Sequence, residues 1–311
     1  MSAAYLFPGQ GGQTPGFLHR LPAHPIVKQT SDEAAEALGI DVLKLDTAEA
    51  LLSTRNVQLS VLVAGVAVTR ALAYEGMRVD AAAGLSVGAF GAAVACGALG
   101  FADALALVKV RGECMEQVHP TGYGMAAIVG LDERRLAAIL EQVGGAQTPV
   151  YLANINAPTQ FVVSGADVAL EAAMKLARER GARRAERIAV STPSHSPLLH
   201  AVSERLAAAA RTVEFHTPQR PYVSNRRARV VRDAEGVRED LILNVENVVR
   251  WHDSVTVLYE LGVRLFVEPP PGQALTRLAQ EAFPTARAMA AEAVPIRSIV
   301  QAAQRGRQPE E

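Results

Sequence analysis

Ala83-Gly84-Leu85-Ser86-Val87-Gly88-Ala89-Phe90 holds the spacing Gly-x-Ser-x-Gly, which seats a serine on a tight strand-to-helix turn with its hydroxyl exposed. Chain and helix approach closely at such a turn, so the positions two before and two after the serine must lack a Cβ. Gly84 and Gly88 meet that need. Ala89, Gly91, Ala92, Ala93 and Ala95 are all small, as expected of a helix packed close to a neighbouring element. Val79 to Ala83 is the strand the turn requires, although alanine is a poor strand former and tertiary context must hold it extended. The same spacing arises by coincidence in Ala/Gly-rich chains, so the reading depends on what surrounds it.

Upstream, Ala3 to Phe7 reads as a short strand, followed directly by the glycine-rich loop Pro8-Gly9-Gln10-Gly11-Gly12-Gln13. Helical patterns run from Pro25 to Leu38 and from Val57 to Glu75. Downstream, a helix from Phe101 to Val118 ends at His119-Pro120-Thr121-Gly122, whose Pro/Gly punctuation marks a boundary. The pattern then becomes strand (Met125 to Leu131), helix (Glu133 to Val143), strand (Val150 to Ile155), strand (Gln160 to Ser164), helix (Ala166 to Arg180) and strand (Arg184 to Val190). That βαββαβ order is a ferredoxin-like split βαβ unit inserted into a larger α/β domain. The expected division is 1–121 with 191–311 for the large domain and 122–190 for the small one. Helices at Pro197 to Arg211 and Ser254 to Leu261, and strands at Pro221 to Ser224 and Arg264 to Glu268, complete the large domain. Glu268-Pro269-Pro270-Pro271-Gly272 closes the last strand and opens a final helical region, before a polar tail, Arg305 to Glu311, that is expected to fray.

A chain of 311 residues, 49% hydrophobic, buries one large core and a smaller one. Its formal net charge of -1 and the absence of a long like-charge block argue against nucleic acid as the main partner. Cys96 and Cys114 lie in apolar helical patterns without a Cys or His at metal-ligand spacing, so reduced core thiols and no metal site are expected. Met1 to Pro8 is apolar only over strand length and lacks a basic leader, and no other apolar stretch reaches about 20 residues. A cytoplasmic protein with no membrane span is the expectation.

A serine nucleophile needs a base. His195 sits in Ser191-Thr192-Pro193-Ser194-His195-Ser196-Pro197, a loop held at both ends by proline, which limits the wandering of the imidazole. The remaining histidines read as surface or capping residues. On the helix from Phe101 to Val118, Leu107, Val108, Cys114 and Met115 form an apolar stripe, with Lys109, Gly112, Glu113 and Glu116 facing away. Arg111 falls inside that stripe. A buried guanidinium must be paired, and its planar fork suits a carboxylate, either an internal Asp or Glu or one carried by a substrate. The Gly9–Gln13 loop fails as a dinucleotide fingerprint at Thr14, but it can present a backbone N–H beside the serine. With the N–H of Val87 that makes an oxyanion hole. Asn154, Asn156 and Gln160 cluster between two strands, where hairpin chemistry alone accounts for them. The Arg178–Arg187 and Arg220–Arg232 stretches are solvated surface or a dock for an acidic partner.

Taken in order, these motifs resemble the malonyl-CoA:acyl-carrier-protein transacylase family along nearly the whole chain. The matching stretches are Phe7 to Gln13, Gly84 to Gly88, Val110 to Met115, Asn154 to Gly165, Pro193 to Leu198, Asn247 to Trp251 and Glu268 to Gly272. The resemblance implies an α/β-hydrolase-like core with a ferredoxin-like subdomain. It implies that Ser86 attacks a thioester while His195 moves the proton, through a malonyl-serine intermediate. It further implies that the Asn244 carbonyl orients the imidazole, that Gln10 and Val87 form the oxyanion hole, that Arg111 clamps the malonyl carboxylate, and that Asn156 and Gln160 contact the substrate. Malonyl-CoA is then a substrate, an acyl-carrier protein the partner, and no cofactor stays bound.

Members serving fatty-acid synthesis have His before the nucleophile and Glu-Tyr after the second glycine, where this chain has Leu85 and Ala89-Phe90. The family's Asn-Pro-Val-x-Trp becomes Asn-Val-Val-Arg-Trp. The turn looks more like the branch formed by the epsilon subunit of malonate decarboxylase, which implies a carrier arm built on phosphoribosyl-dephospho-CoA. A transacylase of fatty-acid or polyketide synthesis is the alternative within the family. Outside it stand a serine thioesterase, with water as acceptor, and a non-catalytic docking module.

Overall fold

A computed structural model describes residues 2–119 and 121–305. In chain order the elements are β1 (Ser2–Phe7), α1 (Pro25–Leu38), α2 (Thr54–Tyr74), β2 (Ala81–Gly84), α3 (Gly88–Ala95), α4 (Phe101–Val118), β3 (Tyr123–Val129), α5 (Glu133–Val143), β4 (Val150–Ala157), β5 (Gln160–Ala166), α6 (Asp167–Glu179), β6 (Arg184–Ile188), α7 (His200–Ala209), β7 (Tyr222–Val223), β8 (Val230–Val231), α8 (Ala234–Leu243), α9 (Trp251–Glu260), β9 (Val263–Glu268), α10 (Ala274–Ala282), β10 (Arg287–Ala290) and α11 (Ile296–Arg305).

The larger sheet has the order β10-β9-β1-β2-β7-β8, parallel throughout except for β8, which runs against β7. A parallel sheet needs cover on both faces, and its central strands read as continuous apolar runs. β1 is almost wholly buried, and so is β2, the Ala-Ala-Ala-Gly strand held between β1 and β7. Neighbours on both edges supply the ordering that alanine's propensity does not.

The smaller sheet, β4-β5-β3-β6, is antiparallel at every pairing, with α5 and α6 on one face over a core that includes Ile128, Leu136, Ile139, Phe161 and Leu170. Its elements follow the expected βαββαβ order within a few residues at each end.

Elsewhere the expectations need correction. The region after Gly272 is not purely helical, since β10 adds an edge strand to the sheet. The hairpin partner β8 and the helix α8 follow β7, where no element was expected. The helix expected over 197–211 is a single turn of 3-10 helix at Pro197–Leu199, then α7, then another turn at Ala210–Thr212. One apolar run does reach membrane-crossing length: α2 has a mean hydropathy of 1.6, but 83% of that stretch is buried within the protein, where it is a core helix. The tail beyond Arg305 lies outside the described residues.

β1, β2, β7 and β9 run parallel, so the segments leaving their carboxyl ends gather on one edge: Pro8–Gly12, Leu85–Val87, Ser224–Asn225 and Pro269–Gly272. Open α/β sheets bind their ligands outside that edge.

Candidate active site

The turn between β2 and α3 is tied to the end of β1 by the Leu85 amide, which donates to the Phe7 carbonyl over 2.9 Å. Ser86 sits at φ +56°, a left-handed conformation costly for a residue with a Cβ. A Cβ on Gly84 would run into the Gly88 carbonyl, and one on Gly88 would meet the carbonyls of Phe7 and Pro8. Both glycines are therefore dictated by close backbone approach. The serine hydroxyl is more enclosed than the motif implies: Ser86 is only 8% exposed. Among the described residues the Val87 amide makes no hydrogen bond.

His195 also has a left-handed backbone, at φ +60°, and its amide donates to the Val245 carbonyl over 2.8 Å. Its Nδ1 lies 2.8 Å from the Asn244 carbonyl and its Nε2 lies 2.8 Å from Ser86 Oγ. A carbonyl only accepts, so Nδ1 carries the proton and Nε2 is left to accept from the serine hydroxyl. The Asn244 side chain completes the link, its Nδ2 donating to the Ser86 carbonyl over 3.0 Å. No carboxylate touches His195 among the described residues. Burial, reinforced by the nearby Arg111 cation, lowers the imidazole pKa from 6.5 to about 4. His195 is thus a neutral base across the physiological range.

Arg111, on α4, is 1% exposed. Its Nη1 donates to Gln58 Oε1 over 2.7 Å, its Nη2 donates to Ser86 Oγ over 3.1 Å, and its Nε has no partner. No Asp or Glu pairs with it among the described residues, and burial alone lowers its pKa from 12.5 to about 10. The guanidinium therefore stays charged at neutral pH without an internal counter-ion. Gln58, fully buried on α2, links it through Nε2 to Gln10 Oε1 at 3.4 Å. Gly112 was expected to face away from the core, but it is buried: a Cβ there would strike the Arg55 backbone, and its absence lets α2 and α4 approach.

Ser86, His195, Arg111, Asn244 and, through Gln58, Gln10 thus come together. Asn156 and Gln160 lie at the β4–β5 hairpin, and neither bonds to Ser86, His195 or Arg111 among the described residues. The Oδ1 of Asn156 is buried without a partner. Two further residues at the site escaped the sequence reading. Gln58 and Ser60 are polar residues set among Val57, Leu59 and Val61, a signal of the kind that singled out Arg111. Asn225, whose Oδ1 accepts from the Ser86 amide over 2.9 Å, follows β7 in an ordinary polar turn and gave no signal.

The acyl transferase domain family matches residues 4–307. The chain belongs to the acyltransferase family. This acyltransferase is 37% identical over 293 residues to the malonyl CoA-acyl carrier protein transacylase of Escherichia coli K12, covering 92% of this chain and 94% of that one. Among solved structures, the malonyl CoA-acyl carrier protein transacylase from Coxiella burnetii superposes with a TM-score of 0.93 at 33% identity, covering 98% of each chain. A malonyl-transacylase solved in complex with its type II PKS acyl-carrier protein superposes with a TM-score of 0.91 at 34% identity, covering 98% of this acyltransferase and all of that chain.

Proposed function

We propose that this acyltransferase moves malonyl from malonyl-CoA to the thiol of an acyl-carrier protein through a malonyl-serine intermediate. The observation that carries the reading is Arg111, a buried cation with no acidic partner among the described residues, 3.1 Å from the nucleophile oxygen. A substrate carrying its own carboxylate satisfies that cation, and a neutral acyl group does not.

In the first half-reaction His195 Nε2 takes the proton from Ser86 Oγ as Oγ attacks the thioester carbon. The Val87 and Gln10 amides receive the developing oxyanion. The C–S bond breaks, and the sulfur of CoA leaves with the proton held by His195. The carrier thiol then gives its proton to His195 and its sulfur attacks the malonyl ester; the C–Oγ bond breaks, and His195 returns that proton to Ser86 Oγ. The Asn244 carbonyl keeps the imidazole in the tautomer both halves need. Asn156 and Gln160, at the β4–β5 hairpin, contribute substrate contacts. In this reading residues 1–121 and 191–311 form an α/β-hydrolase-like catalytic domain and 122–190 a ferredoxin-like subdomain. The order β4-β5-β3-β6 supports the latter assignment. The reaction needs no resident cofactor and takes place in the cytoplasm.

The named relatives support a carrier protein of fatty-acid or polyketide synthesis as the acceptor. A second reading, the carrier of malonate decarboxylase, rests on Leu85 before the nucleophile and Ala89-Phe90 after the second glycine. Malonyl-CoA offered together with a phosphopantetheine carrier or a phosphoribosyl-dephospho-CoA carrier separates them by carrier mass. Loading of the first alone supports synthesis, and loading of the second alone supports the decarboxylase. Accumulation of free malonate with neither carrier loaded makes the protein a hydrolase and ends both readings.

A further inference from the structure

We propose that Asn225, seated on the buried carboxylate of Asp240, is a positioning residue that fixes the left-handed backbone at Ser86 and leaves the Val87 amide free for the oxyanion. The proposal rests on the reading of Ser86 as nucleophile, but not on the identity of the acyl group.

Asn225 is 2% exposed. Its Oδ1 accepts from the Ser86 amide over 2.9 Å, while its Nδ2 donates to the Gly84 carbonyl. One planar amide therefore grips the peptide groups on either side of Leu85, and the residue at the end of that grip is the one at φ +56°. Such a conformation persists only where its surroundings over-determine it. The amide orientation follows from its partners, since a flipped side chain would set donor against donor and acceptor against acceptor. With the Ser86 amide engaged, the next amide along, Val87, is the one without a partner.

Asn225 is itself held from behind. Asp240, on α8 and 2% exposed, accepts from Tyr222 Oη at 2.7 Å, from Ser224 Oγ, from the Asn225 amide at 3.2 Å and from the Arg226 amide at 3.4 Å. Burial raises the Asp240 pKa, and these four donors, each given to a carboxylate oxygen, work against that shift. The Asn225 carbonyl in turn accepts from the Arg250 amide over 2.9 Å. The segment leaving β7 is thereby fixed at both backbone groups of Asn225, and its side chain is aimed at the turn. Asp240 makes no hydrogen bond to Ser86 or His195 among the described residues, so its influence on the serine passes through Asn225.

The test is the rate of Ser86 acylation, followed by rapid-quench mass spectrometry, in Asn225→Ala and Asp240→Asn, with folding checked by circular dichroism. Two acyl donors are used: malonyl-CoA, and p-nitrophenyl acetate, which carries no carboxylate for Arg111. Misplacing the nucleophile by Asn225→Ala is expected to slow acylation about 100-fold with both donors. The KM for malonyl-CoA stays within about threefold, because the substrate clamp is untouched. Asp240→Asn, which keeps the shape and turns one acceptor oxygen into a donor, gives a smaller loss of the same kind. Acylation within threefold of the parent in either folded variant overturns the proposal. So does a loss confined to malonyl-CoA, which would make Asn225 a substrate contact. Should Asn225→Ala fail to fold, Asp240→Asn decides alone. A parent protein acylated by the ester but not by malonyl-CoA ends the malonyl reading and leaves this test intact.

Discussion

Arg111 Nη2 donates to Ser86 Oγ over 3.1 Å, so the buried cation and the serine hydroxyl are in direct contact. With His195 Nε2 at 2.8 Å on the other side, the serine oxygen accepts from one neighbour and donates to the other. The same cation thus aligns the hydroxyl and, in the function proposed above, is the partner of the acyl carboxylate. Arg111→Ala is expected to lower kcat/KM for malonyl-CoA by about 100-fold or more, the cost of truncating one member of a buried charge pair. Acetyl-CoA, which has nothing for the guanidinium to hold, loses far less. Steady-state kinetics with both thioesters checks this, and an unchanged ratio of the two removes Arg111 from selectivity.

The depressed pKa of His195 sets the pH response. With the imidazole at about 4, acylation by an uncharged ester should be level from neutrality to mildly acid pH and fall only as pH approaches that value. Arg111 is one of the causes, so Arg111→Gln moves the acid limb to higher pH. A limb near 6.5 in both proteins contradicts this.

The same shift is a stability term. The folded protein keeps His195 neutral while the unfolded chain takes up a proton below pH 6.5. Its contribution is therefore full above that pH and is lost as pH falls toward 4, about 3 kcal/mol in all. Denaturant unfolding across this window should show a shallower decline for His195→Gln than for the parent.

Gly88→Ala brings a methyl group against the Phe7 and Pro8 carbonyls, so backbone rather than a flexible side chain must shift to admit it. The expected loss is about 3 kcal/mol or more, at the upper end of overpacking effects, with acylation abolished. Thermal melts and acyl capture on the same sample measure both.

Gly112→Ala pushes α4 away from the Arg55 backbone and so separates Gln58 on α2 from Arg111 on α4. KM for malonyl-CoA should rise several-fold more than for acetyl-CoA, with about 1–3 kcal/mol of lost stability. Equal effects on the two substrates would mean that the helix spacing does not govern the clamp.

Local rules carried the sequence reading where the chemistry is local. Gly84 and Gly88 were legible because only residues without a Cβ fit the turn, and Arg111 because a charge interrupted an apolar stripe. The βαββαβ segment was legible because periods of two and of 3.6 alternate cleanly there. Gly112 was misplaced because periodicity ranks it as neutral, whereas the backbone of another helix decides its burial. β8 and β10 are short edge strands whose extended form comes from β7 and β9 rather than from their own residues. Asn225 and Asp240 were invisible for a related reason: Asn225 meets Ser86 from 139 positions away, a contact the fold alone creates.

Serine-linked malonyl transfer is tested most directly by the intact mass of the protein after brief exposure to malonyl-CoA, with acetyl-CoA and Ser86→Ala alongside. A retained malonyl group on the parent, absent from Ser86→Ala and far weaker with acetyl-CoA, is the expected result. Equal capture of acetyl and malonyl, or a malonyl adduct that survives Ser86→Ala, would contradict it.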